Sequence, residues 1–166
     1  MNMELFFDYA CPYCYRGHKN LLELMDKYPE LEITWRPCEA HPRPEPASIH
    51  SDLAIQGMYF IRDNQGDLWK YHSLAYEAVF EKRADISDLD VLASLAGQCG
   101  VDSAAFREAL KENRYAAEVE DGNRYAWGEH GLQAVPSYLS GSRFIGSHDG
   151  ILVSKQELDR FLSQLS

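Results

Sequence analysis

Directly behind the apolar run Met3-Glu4-Leu5-Phe6-Phe7 stands the tetrapeptide Cys11-Pro12-Tyr13-Cys14. This junction constrains the fold more than any other part of the chain, because it sets a strand, a turn and a helix start within one short segment. Two thiols three positions apart meet on one face of a helix's first turn, where they can close and reopen a small disulfide loop. Proline is favoured at the first helical position, where its missing N–H is no loss and its fixed φ suits the helix, so Pro12 makes Cys11 the N-cap. A thiolate at that place faces unpaired backbone N–H groups and the positive end of the helix dipole, both of which lower its pKa. The segment reads as a redox dithiol on the end of a strand.

The surrounding pattern supports that placement. Residues 3–8 predict a short buried strand, and residues 12–28 carry Leu21, Leu22, Leu24, Met25 and Tyr28 at helical spacing until Pro29 stops them. Leu31, Ile33 and Trp35 alternate with Glu32, Thr34 and Arg36, which marks a second strand. Strand, helix and strand make a βαβ unit whose right-handed crossover leaves the two strands parallel, with the dithiol at their C-terminal edge. Pro42, Pro44 and Pro46 then form a stiff linker. Helical stripes follow at His50–Ile61 and Tyr71–Val79, then at Leu89–Cys99 with Ser87 as the expected N-cap and Gly100 as the stop. A short helix comes after Asp102, and a longer one runs from Tyr115 through Trp127 to Gly131. Strand character returns at Ser137–Ser140, turns at Gly141-Ser142 and continues along Arg143–Gly146. Ser154 and Glu157 form a capping box before a final helix carrying Leu158, Phe161, Leu162 and Leu165. The order is β-α-β, helical insert, β-β-α. The expected boundaries are 1–41 with 131–166 for the α/β part and 42–130 for the insert.

Charge and cysteine usage narrow the function. The 166-residue chain has a formal net charge of −10 without a basic cluster, which argues against nucleic acid as a partner. No apolar stretch is long enough to cross a bilayer, and no secretory signal pattern opens the chain, so the expectation is a cytoplasmic protein with no membrane partner. A close cysteine pair in that compartment is catalytic or metal-binding more often than structural.

A second motif completes the first. Val135-Pro136 opens the third strand, which in this layout runs antiparallel to the first and brings Pro136 to Cys11. Ala134-Val135-Pro136-Ser137-Tyr138 resembles the cis-proline loop of the thioredoxin superfamily. Phe7 to Gly17, Ala84 to Leu92 and the valine-proline hairpin through Gly146 together resemble the DsbA-like family, specifically its FrnE-like cytosolic branch. The resemblance implies an α/β thioredoxin-like fold with an all-helical domain inserted between the second and third strands. It also implies a thiol–disulfide oxidoreductase or isomerase with Cys11, Cys14 and Pro136 as catalytic residues and Pro12, Tyr13 and Val135 touching substrate. No cofactor is implied beyond the Cys11–Cys14 disulfide. Partners are protein or small-molecule disulfides and thiols, with glutathione a candidate co-substrate. Two departures stand out: Pro-Tyr, the glutaredoxin dipeptide, replaces Pro-His, and Leu5 replaces a frequent buried acid. Both suggest a milder couple, nearer the roughly −200 to −230 mV of glutaredoxins than the roughly −120 mV of DsbA.

Three other readings compete. Cys11, Cys14, Cys38 and His41 have spacings compatible with a closed zinc centre. Kappa-class glutathione transferases and 2-hydroxychromene-2-carboxylate isomerases share the inserted architecture but typically carry serine where this chain has Cys11. The third is a helical binding module whose cysteines are only redox-sensitive. Among the remaining residues, Arg16 and His18 are candidates to add positive charge near the thiolate, and Asp8 either relays a proton or caps a turn. Cys38 is a candidate third thiol, whereas Cys99 lies on an apolar helix face and reads as structural. His72, His130 and His148 show no ligand-like spacing. Tyr71, Tyr76, Phe80, Tyr125 and Trp127 read as insert core or as the wall of a groove over the dithiol.

Overall fold

The strand behind the dithiol is β1 (Asn2–Phe7), almost wholly buried from Met3 onward. The computed structural model describes residues 1–165, which divide into two units: Met1–Cys38 with the segment from Gly122 on, and Glu39–Asp121. In the first unit β1 leads through a turn into helix α1 (Pro12–Leu24), which tightens into a 3₁₀ turn at Met25–Lys27. Strand β2 (Glu32–Pro37) then pairs parallel to β1, with Leu5 opposite Trp35. Strands β3 (Ser137–Ser140) and β4 (Arg143–Gly146) form the expected hairpin. Its turn glycine, Gly141, takes φ +60, which a side chain would disfavour. The four strands lie in the order β2-β1-β3-β4, and β3 runs antiparallel to β1 with Phe6 opposite Ser137. That register brings the start of β3 to the end of β1. The capping box at Ser154 is present and opens the last helix of the chain, Lys155–Ser163.

The second unit is helical: α2 (Asp52–Asp63), α3 (Leu68–Phe80), α4 (Leu89–Gly97) and α5 (Ser103–Lys111), with the start of α6 (Ala116–Asn123). Its core gathers Ile55, Met58, Ile61, Tyr71, Leu92 and Phe106. Gly57 makes this packing possible, since a Cβ there would lie 2.3 Å from the Tyr71 hydroxyl, which donates to the Ala54 carbonyl at 2.7 Å. Among the described residues no helix is long and apolar enough to cross a membrane.

Several boundaries differ from expectation for local reasons. Asp8 leaves the first strand because its carboxylate accepts from the Ala10 N–H at 2.9 Å and starts the turn. Asp88, not Ser87, caps α4 by accepting from the Asp90 N–H, while the Ser87 hydroxyl donates to the His50 carbonyl. The expected long helix from Tyr115 is α6 followed by a π-helical stretch, Arg124–Glu129, and Gly131 ends it at φ +56. Within that stretch Tyr125 stacks on Phe6, with ring centroids 5.8 Å apart, and donates its hydroxyl to Glu4 at 2.6 Å. The wider π turn carries Tyr125 onto the sheet, and helical periodicity in the sequence does not register such a change of pitch.

Candidate active site

Cys11 caps α1. Its backbone is extended (φ −101, ψ 119), Pro12 follows at the first helical position, and its Sγ accepts from the Cys14 N–H at 3.4 Å. The pKa of Cys11 is lowered, chiefly by the Cys14 thiol donating to it. Burial opposes that effect, the N–H groups of Cys14 and Tyr13 reinforce it, and the negative charge of Asp8 opposes it. Cys14 is the opposite case. It is fully enclosed, its Sγ accepts from the Asp8 N–H at 3.4 Å, and burial together with its donation to Cys11 raises its pKa well above that of an ordinary thiol. The two sulfurs are not bonded to each other. One thiol is thus prepared to ionise and its neighbour to stay protonated.

The far half of the site comes from the β3–β4 hairpin. The Cys11 Sγ–H points to the Val135 carbonyl at 3.7 Å, and the Val135–Pro136 peptide is cis. The loop is fixed by two serines: the Ser137 hydroxyl donates to the Ala134 carbonyl at 2.8 Å, and Ser147 donates to the Pro136 carbonyl from its N–H at 3.1 Å and its hydroxyl at 2.9 Å. Gly17 lets α1 approach this loop. A Cβ at that position would stand 3.0 Å from the Tyr138 hydroxyl and 3.1 Å from Pro136 Cγ.

The candidate charges resolve differently from one another. His18 is buried, and loss of solvent pushes its pKa down to about 4, so it is neutral and adds no charge near the thiolate. Arg16 is exposed. Asp8 is buried and makes the turn just described. Tyr13 is committed to the protein itself, its hydroxyl donating to the Gly150 carbonyl at 2.6 Å. Pro12 lies exposed beside it.

The remaining two cysteines both turn their sulfurs to backbone carbonyls. Cys38 directs both its N–H, at 2.8 Å, and its Sγ, at 3.7 Å, to the Phe7 carbonyl, while the N–H of the same trans peptide goes to Cys14. Carbonyl and N–H of a trans peptide point opposite ways, so the Phe7–Asp8 peptide stands between the two sulfurs. Cys99 is buried in the second unit, its Sγ–H directed to the Leu95 carbonyl, and burial pushes its pKa up to about 11. His41 pairs with Glu45 at 2.8 Å. Among the described residues no three of His, Cys, Asp or Glu gather as a metal site. The three cysteines of the zinc reading, Cys11, Cys14 and Cys38, therefore do not gather, because Cys38 turns its sulfur to the Phe7 carbonyl. Sequence spacing offered no reason to join His130 and His148, yet both line one cleft of about 180 Å³ with Leu132, Gln133, Phe144 and Ser147. The sequence carries no pattern for the contacts of Ser147 or for the Tyr13–Gly150 bond. The one signal was Asp149-Gly150, a turn dipeptide.

Residues 2–166 match the DSBA-like thioredoxin domain. The chain belongs to that family. It is by class a disulfide oxidoreductase. Among curated proteins it is 26% identical over 181 aligned positions to the uncharacterized protein YwbO of Bacillus subtilis (strain 168), covering 87% of this chain and 89% of that one. Among solved structures it is similar to DsbA of Chlamydia trachomatis (TM-score 0.75, 18% identity, 98% of this chain and 85% of that one). It is also similar to the cytosolic disulfide reductase DsbM of Pseudomonas aeruginosa with GSH (TM-score 0.74, 16% identity, 98% of each chain). At these identities the structural likeness concerns the fold.

Proposed function

We propose that this DsbA-like chain catalyses thiol–disulfide exchange through Cys11 and Cys14. The Cys11 thiolate attacks one sulfur of a substrate disulfide, a Cys11–substrate bond forms, and the other substrate sulfur leaves as a thiolate that takes up a proton. Cys14 then gives up its proton and attacks Cys11, closing the Cys11–Cys14 disulfide and releasing the second substrate thiol. Two electrons pass from the dithiol to the substrate, and the reverse order oxidises a substrate dithiol. Val135 and Pro136 position the substrate strand, with Pro12 and Tyr13 flanking it.

The observation that carries this reading is the placement of the two thiols within one helical turn: Cys11 half-buried at the cap with its sulfur toward the Val135 carbonyl and its pKa lowered, and Cys14 enclosed against the Asp8 amide with its pKa raised. An attacking thiol needs the first, and a resolving thiol held in reserve tolerates the second. Glutathione is the co-substrate in this reading and the cytosol its setting. The likeness to a cytosolic reductase whose structure contains GSH supports both. The experiment is a trap: a Cys14→Ala variant accumulates mixed disulfides through Cys11, and a Cys11→Ser variant falls to the uncatalysed rate. Catalysis by fully reduced Cys11→Ser protein would overturn the proposal.

A further inference from the structure

The residue between the cysteines is tied to a distant loop. Tyr13 donates to the Gly150 carbonyl, and Gly150 sits in a tight turn where His148 and Ile151 exchange hydrogen bonds at 3.1 and 2.7 Å. Asp149 and Gly150 both take positive φ, +49 and +76, the geometry of a two-residue hairpin turn, so the turn is locally determined. Its N-terminal neighbour is Ser147, which holds the Pro136 carbonyl with two hydrogen bonds and whose hydroxyl receives the Val153 N–H at 3.4 Å. A strap of backbone thus runs from the dithiol's helix to the loop carrying Val135 and Pro136, pinned by Tyr13 at one end and by Ser147 at the other.

We infer that Tyr13 is a positioning residue that makes the enzyme selective for extended polypeptide disulfides over small ones. The inference rests on the exchange reaction proposed above and concerns its substrate class. A small disulfide needs only the Cys11 sulfur. An extended chain must also lie along the backbone of Val135, whose carbonyl stands 3.7 Å from that sulfur. Any drift of the loop away from α1 penalises the extended chain more than the small disulfide. The turn also presents Ile151, which is more than half exposed, beside the tie.

The test compares two oxidants on the wild type and on Tyr13→Phe: a roughly ten-residue peptide with one disulfide, and 2-hydroxyethyl disulfide. Loss of one hydroxyl donor is expected to lower the peptide-to-small ratio of second-order rate constants about fivefold, the size of one net hydrogen bond. The Cys11 pKa, read from thiolate absorbance, is expected to stay in place. Amide exchange at Ser147 and Ile151 is expected to quicken. Ser147→Ala, which removes the hydroxyl bond at the other end and keeps the N–H bond, is expected to lower the same ratio. An unchanged ratio in Tyr13→Phe, or equal slowing of both substrates together with a shifted Cys11 pKa, would overturn the inference. If the wild type reacts with neither disulfide through Cys11, the exchange reading itself fails, which is a different result.

Discussion

Cys11 and Cys14 have the same side chain and opposite environments, and the difference comes from one helical turn. At the cap, the sulfur of Cys11 meets the Cys14 N–H at the start of the helix; three residues on, the helix carries Cys14 inward against the Asp8 amide. His18, one turn further, makes a second consequence of burial measurable. Its pKa falls from 6.5 in the unfolded chain to about 4 in the folded one, so between those values the unfolded state binds more protons. Stability contributed by the neutral imidazole is complete above pH 6.5 and is lost as pH falls toward 4, by about 3 kcal/mol. Urea unfolding of the wild type and of His18→Gln at pH 7 and pH 4.5 checks this: the variant loses less stability on acidification. Equal losses would mean that His18 titrates normally.

Among the secondary-structure elements, the site is a contact between the start of α1 and the loop before β3, and Gly17 sets how close they come. Adding one methyl leaves contacts near 3.0 Å that a small shift relieves, and the gain in helix propensity, about 1 kcal/mol, offsets it. Gly17→Ala is therefore expected to be nearly neutral in urea midpoint. Gly17→Val adds branching against Tyr138 and Pro136 and is expected to cost about 2 kcal/mol. Equal midpoints for the two variants would show that the approach is not tight. Much of this architecture is legible in the sequence. Pro12 marks the helix start, alternation at Leu31–Arg36 marks β2, the Gly141 turn marks the hairpin, and Ser154 with Glu157 marks the last helix. What stays hidden is either a change of pitch, as at Arg124–Glu129, or a hydrogen bond between side chain and backbone across more than a hundred residues. Tyr13 to Gly150 is of that second kind, and no periodicity or local motif encodes it.

At the scale of the whole molecule, the chain topology builds the site from its two ends. Residues 8–17 supply the thiols and residues 134–150 supply the loop opposite them, joined because β3 returns beside β1. The dithiol is legible in the tetrapeptide itself, and Pro136 in the strand order that sets β3 beside β1. The asymmetry of the thiols is legible in the helix start as well, since Cys14 inside the first turn faces the core; what the structure adds is the partners, the Asp8 amide at Cys14 and the Cys14 thiol at Cys11. That asymmetry is the central claim, and one measurement addresses it on the intact chain: alkylation of the fully reduced protein by iodoacetamide as a function of pH, with each modified cysteine located by peptide mapping. Cys11 is predicted to react first, with a rate inflection below the roughly 8.5 of a free thiol, while Cys14 stays unmodified until the protein unfolds. Equal labelling of the two, or earlier labelling of Cys14, would contradict the account.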